Sequence, residues 1–127
     1  MKKARKIYKL HEAVLDQDLN LVRSCIEEGF DVNEKDENSF TPLHYAAQDG
    51  LEEIAKILLE AGAEVDSKDE LGNTPLSTAV YNFIEDPSMV NLLMKYGANK
   101  DEENNFGVSP YSLAKTIAGC SALQYLK

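Results

Sequence analysis

One motif returns along this chain at a nearly fixed interval. Thr41-Pro42-Leu43-His44-Tyr45-Ala46-Ala47 is followed 33 positions later by Thr74-Pro75-Leu76-Ser77-Thr78-Ala79, and a further 35 positions on by Ser109-Pro110-Tyr111-Ser112-Leu113-Ala114. Leu10-His11-Glu12-Ala13 is an earlier copy, 33 positions before Leu43-His44. A second landmark keeps the same beat: Gly29-Phe30-Asp31-Val32-Asn33, Gly62-Ala63-Glu64-Val65-Asp66 and Gly97-Ala98-Asn99-Lys100-Asp101. A period of this length marks units that cannot bury their apolar faces alone and must stack on one another, so a single elongated domain over 1–127 is expected.

The second copy shows why each unit folds. The Thr41 hydroxyl stands ready to cap a free backbone N–H, and Pro42 loses nothing at the first helical position, so a helix should begin there and break at Gly50. A second helix is predicted from Leu51 to Ala61, with Ile54, Ala55, Ile57 and Leu58 on its buried stripe and Gly62 ending it in a left-handed turn. The polar, glycine-bearing run from Ala63 to Asn73 should project as a finger. In the first repeat Tyr8 stands where threonine belongs, and Leu19, Leu21, Val22, Cys25 and Ile26 form the stripe. The third repeat carries two extra residues within Val80-Tyr81-Asn82-Phe83-Ile84-Glu85-Asp86. Asp86 is predicted to cap a helix from Pro87 to Tyr96 that buries Val90, Leu92 or Leu93, and Met94. Leu113, Ala114, Ile117, Leu123 and Leu126 are the expected buried residues of the fourth.

Motif and period together resemble the ankyrin repeat, over roughly residues 3 to 127. The resemblance implies an all-α ankyrin-repeat solenoid of four helix-loop-helix repeats, about 3–35, 36–68, 69–103 and 104–127, with projecting β-turn fingers. Both terminal repeats read as atypical caps, the polar run Lys2 to Lys9 facing water at one end. It also gives His11 and His44 a structural task, a hydrogen bond between neighbouring turns; Ser77 holds the same address in the third repeat.

Chemistry has no candidate constellation. Two histidines and two cysteines are scattered without metal-ligand spacing, no glycine-rich phosphate loop occurs, and no serine sits in a nucleophile elbow. The expectation is a non-enzymatic protein with no catalytic residues, no metal and no cofactor. Cys25 and Cys120 fall in the first and fourth repeats, too far apart in a stack to pair, and a reducing cytoplasm suits two free thiols. The basic start is not followed by the apolar run of a signal peptide, and no stretch approaches a membrane span.

Charge is unevenly placed. Five of the 13 Lys and Arg lie in the first nine residues, whereas all 22 acids follow them. Such a body repels nucleic acid and anionic membranes and steers basic proteins toward itself. In the ankyrin family partners usually meet the finger tips and the exposed face of the first helices. Carried over by motif position, these are Glu37, Asn38, Phe40, Tyr45, Gln48 and Asp49; Glu70, Leu71, Asn73, Tyr81 and Asn82, with Phe83 in the longer loop; and Asn105, Phe106 and Val108. Phe40, Tyr45, Leu71, Tyr81 and Phe106 are candidate anchors, about half of which should tuck back against neighbouring fingers. The run Gly107 to Ala118 after a lengthened third repeat is similar to short bacterial ankyrin proteins, some of which are immunity proteins that occlude basic toxins. A regulatory adaptor that joins or masks cellular proteins would use the same surface, and a self-associating spacer is a third role. Either binder would be a monomer on its own.

Overall fold

The computed structural model describes residues 8–83, 86–117 and 121–127. Among the described residues the chain forms α1 (Lys9–Leu15), α2 (Leu19–Glu27), α3 (Pro42–Asp49), α4 (Glu52–Glu60), α5 (Pro75–Tyr81), α6 (Ser88–Lys95), α7 (Pro110–Thr116) and a 3-10 helix (Ser121–Tyr125), with no strand. Helices α1, α3, α5 and α7 pack side by side in one layer, and α2, α4, α6 and the 3-10 helix form a second layer behind them. The architecture is the all-α repeat solenoid anticipated above. Lys2 to Lys6, Ile84, Glu85 and Cys120 lie outside the described residues.

The repeated caps do what their chemistry allows. Thr41, Thr74 and Ser109 sit in extended backbone and accept the N–H of His44, Ser77 and Ser112, and each is followed by proline. At the equivalent place before α1, Tyr8 makes no side-chain cap. Gly62 closes the turn after α4 with a φ of +100°.

Two helices depart from expectation in instructive ways. In α4 the buried residues are Ile54, Ala55, Leu58 and Leu59, while Ile57 is half-buried. The arc is wider and rotated because α4 packs against α3 in front and α2 and α6 on either side, so positions i, i+1, i+4 and i+5 all meet neighbours. α6 begins at Ser88 with Pro87, not Asp86, in the cap position; Asp86 Oδ1 instead accepts the Ser88 N–H at 2.9 Å as a turn. Met89, Val90, Leu92 and Leu93 are all buried there, and Met94 is half-buried. At the terminal repeats the core thins. Val22 and Cys25 are buried while Leu19, Leu21 and Ile26 are partly exposed; Ala114, Ala122 and Leu126 are buried while Leu113, Ile117 and Leu123 are partly exposed. Among the described residues no further helix pair covers either outer face.

Candidate partner-binding groove

Each finger is organised by one side chain at its base. Asp36 Oδ1 accepts the N–H groups of Asn38 and Phe40, Asp69 Oδ1 those of Leu71 and Asn73, and Asn104 Oδ1 those of Phe106 and Val108. The same three residues donate their own N–H to the carbonyls of Phe40, Asn73 and Val108 at 2.9, 3.0 and 2.8 Å. Asn38 O accepts from Glu70 N (3.3 Å) and Leu71 O from Asn105 N (2.9 Å), so the fingers are tied into a ladder. Lys35 Nζ and Lys68 Nζ each reach the next finger's backbone, at Lys68 O (2.6 Å) and Glu103 O (3.2 Å).

The histidines are struts between helices and fingers. His44 Nε2 donates to Asn73 O at 2.9 Å, and its Nδ1 accepts from Thr41 N and Thr41 Oγ1. Burial pushes the His44 pKa below its ordinary value, which keeps the neutral ring this pattern needs. His11 Nε2 donates to Phe40 O at 2.8 Å, but Nδ1 has no partner among the described residues; at the threonine position the Tyr8 ring meets the imidazole in a T-shaped pair, 5.2 Å between centroids.

Aromatic rings fill the second repeat. Phe40 stacks on His44 (5.4 Å, 20°) and meets Tyr45 edge-on (5.1 Å), while the Tyr45 hydroxyl donates to Asp36. One repeat later the positions of Phe40, His44 and Tyr45 hold Asn73, Ser77 and Thr78. Three rings give way to three small polar side chains, and a groove of about 830 Å³ opens over α5. Asn38, Phe40, Asp69, Glu70, Leu71, Asn73, Asn104, Phe106 and Val108 line it from the fingers, and Gln48, Asp49, Ser77, Thr78, Tyr81, Asn82 and Leu113 from the helices. Its acids are Asp49, Asp69 and Glu70, and among the described residues no Lys or Arg lines it. Leu71, Tyr81 and Phe106 stand 48%, 73% and 74% exposed around it.

Most residues expected at a partner surface thus meet in one place: Asn38, Phe40, Gln48, Asp49, Glu70, Leu71, Asn73, Tyr81, Asn82, Phe106 and Val108. Of the five candidate anchors, Phe40 and Tyr45 are tucked in and the other three project. Four expected residues lie elsewhere. Glu37 and Tyr45 line a smaller hollow beside Tyr8 and His11, because Tyr45 turns toward Asp36. Phe83 is half-buried with its ring 6.1 Å from that of Tyr125, and Asn105 spends its N–H on Leu71 O and its amide on Glu70 O. Asp69, Ser77, Thr78, Asn104 and Leu113 also line the groove and were not anticipated. Aligning the aromatic trio with its polar counterpart would have found the middle of this set. Among the described residues no group of three or more His, Cys, Asp or Glu is placed to hold a metal ion, and no helix is long and apolar enough to cross a membrane.

Known proteins agree with this architecture. The family description "ankyrin repeats (3 copies)" matches residues 10–104, and the chain belongs to the ankyrin-repeat family. The fold is that of a protein–protein interaction module. Among curated proteins the chain is similar to protein phosphatase 1 regulatory subunit 27 of Mus musculus and of Homo sapiens, in each case 46% identical over 41 residues. That match covers 32% of this chain and 27% of each relative, so the chain spans about a quarter of their length.

Proposed function

We propose that this chain is a non-enzymatic module that docks a basic partner protein on the groove over α5. One observation carries the reading: three carboxylates share the groove with three exposed apolar side chains, and among the described residues no Lys or Arg lines it to offset them. The acids steer a positively charged surface into place, and Tyr81, Phe106 and Leu71 then hold it by excluding water. Binding masks whatever the partner presents, and no bond is made or broken. The similarity to a phosphatase regulatory subunit supports a regulatory adaptor of this kind. An immunity protein would use the same occlusion against a toxin. The proposal takes the chain as a monomer in a reducing cytoplasm, a setting that suits the free, buried Cys25.

Affinity capture with the wild-type chain beside a Tyr81→Ala/Phe106→Ala variant, at low salt and at about 0.5 M salt, tests it. A basic protein held by wild type and released by the variant supports docking at this groove. Retention of the same proteins by both chains overturns it. Capture of one basic toxin domain would assign the immunity role, and capture of a cellular enzyme the adaptor role.

A further inference from the structure

We propose that the pocket above Ser77 receives an arginine side chain of the partner, an inference that rests on the groove being the docking surface. The pocket exists because this repeat lacks the ring that fills the same address at His11 and His44. His44 reaches across to the neighbouring finger at Asn73 O, whereas a serine side chain is too short for such a span. Ser77 is only 4% exposed and lines the groove, yet among the described residues its hydroxyl makes no hydrogen bond; its backbone N–H goes to Thr74 Oγ1. The hydroxyl faces the groove, within reach of solvent, and a polar atom there with no protein partner is open to a complementary ligand atom.

The chemistry around Ser77 selects the ligand. Asp49 and Glu70 contribute carboxylates, and Asp69 spends Oδ1 on two backbone N–H groups, leaving its second oxygen without a bond among the described residues. Thr78 already donates its proton to Thr74 O, so toward the groove it can only accept. The pocket is therefore rich in acceptors, and among the described residues no cation lines it. What fits is a cation with several donors. Tyr81 and Phe106 add exposed ring faces, on which a flat guanidinium stacks while its edge forks to carboxylate and hydroxyl oxygens. An ammonium is a compact, strongly hydrated point charge and exploits neither the rings nor the fork, so lysine is the poorer occupant.

Selection from a random-peptide library displayed on phage, followed by fluorescence polarisation of the selected peptides, tests this. The expected peptides share an arginine, and replacing it with lysine weakens binding by about tenfold. Ser77→His refills the pocket with the residue that the first two repeats tolerate, and should weaken the same peptides by about tenfold or more with the unfolding midpoint retained. Should that variant fail to fold, Asp49→Asn/Glu70→Gln removes two of the charges at exposed positions and serves in its place. Peptides without arginine, or affinity indifferent to both variants, overturn the inference. If Tyr81→Ala/Phe106→Ala still abolishes binding in that case, the groove stands as the docking surface and only the arginine pocket falls. If it does not, or if no peptide is selected, the groove reading falls as well.

Discussion

Gly72 offers a quantitative test of the finger ladder. Its φ is +81°, and a methyl group in place of its Cα hydrogen would lie 2.7 Å from Asn105 Oδ1, 2.9 Å from Asn105 N and 3.1 Å from Asn104 Cα. The side-chain oxygen can swing away, but the other two atoms are backbone and move only if the fingers at Asp69 and Asn104 part. Gly72→Ala therefore carries two costs. The left-handed conformation costs about 1 to 2 kcal/mol for a residue with a Cβ. Parting the fingers loses the bonds from Asn105 N to Leu71 O and from Asn105 Nδ2 to Glu70 O, together worth about 1 to 3 kcal/mol.

Gly107 is the internal control. It holds the same place in the finger at Asn104, at φ +76°, yet a methyl group there meets nothing within 4 Å. Gly107→Ala pays only the conformational cost, and any gain from stiffening the unfolded chain is common to both variants. Urea denaturation should place Gly72→Ala about 1 to 3 kcal/mol below Gly107→Ala, with an unchanged m-value if unfolding stays cooperative. Faster exchange of the Asn105 amide in Gly72→Ala would locate the damage at the ladder. Equal midpoints for the two variants would refute the close approach, and with it the tying of the two fingers into a ladder.

Three further outcomes follow from the same geometry. Leu58→Ala, at a fully buried position of α4, should cost about 2 to 5 kcal/mol in thermal or chemical unfolding, and unchanged stability would refute the packing assignment. Burial holds the His44 pKa below 6.5, so as pH falls through that value the unfolded chain binds a proton that the fold refuses; stability is complete above about pH 6.5 and declines toward the lower folded value. His44→Gln should flatten this decline in urea titrations and, provided the variant keeps its stability, leave partner binding intact, whereas an identical slope in both chains would show that His44 is not its source. Tyr81→Ala and Phe106→Ala should each weaken partner binding by more than about 1 kcal/mol with the unfolding midpoint unmoved, and wild-type affinity in both would place the site elsewhere.

Local chemistry was legible in the sequence, and chemistry that depends on neighbours was not. The caps at Thr41, Thr74 and Ser109 need only a hydroxyl, a proline and an N–H three residues on, so the starts of α3, α5 and α7 could be read directly. The burial of Leu59 in place of Ile57 depends on α4 having neighbours on three sides, which a single-helix stripe does not encode. Leu71, Tyr81 and Phe106 were legible as outward-facing together with Phe40 and Tyr45, but which of the five would tuck back depends on their neighbours. The packing of Phe83 near Tyr125 and the bonding of Asn105 to the finger at Asp69 are long-range contacts without a local signal. The opening above Ser77 is a middle case. It is encoded by what is missing relative to Phe40, His44 and Tyr45, and so shows only when one repeat is laid over another.

This arrangement separates the residues that hold the groove from those that are free to meet a partner. Asn73 lines the groove, yet its carbonyl accepts from His44 Nε2 and Asp69 N, and its Oδ1 accepts from Asn104 Nδ2 at 2.9 Å. It therefore joins three consecutive repeats, and a substitution there cannot distinguish lost contact from lost scaffold. In a stack each repeat leans only on its neighbours, so damage at such a joint spreads along the chain of bonds from His44 through Asn73 to Asn104. The rings of Tyr81 and Phe106 and the hydroxyl of Ser77 carry no such link. Their side chains can change from one member of the family to the next while the struts stay, which is how one repeat pattern can support different partners. Differences in binding that map to Ser77, Tyr81 and Phe106 thus report recognition, and differences that map to Asn73 report support.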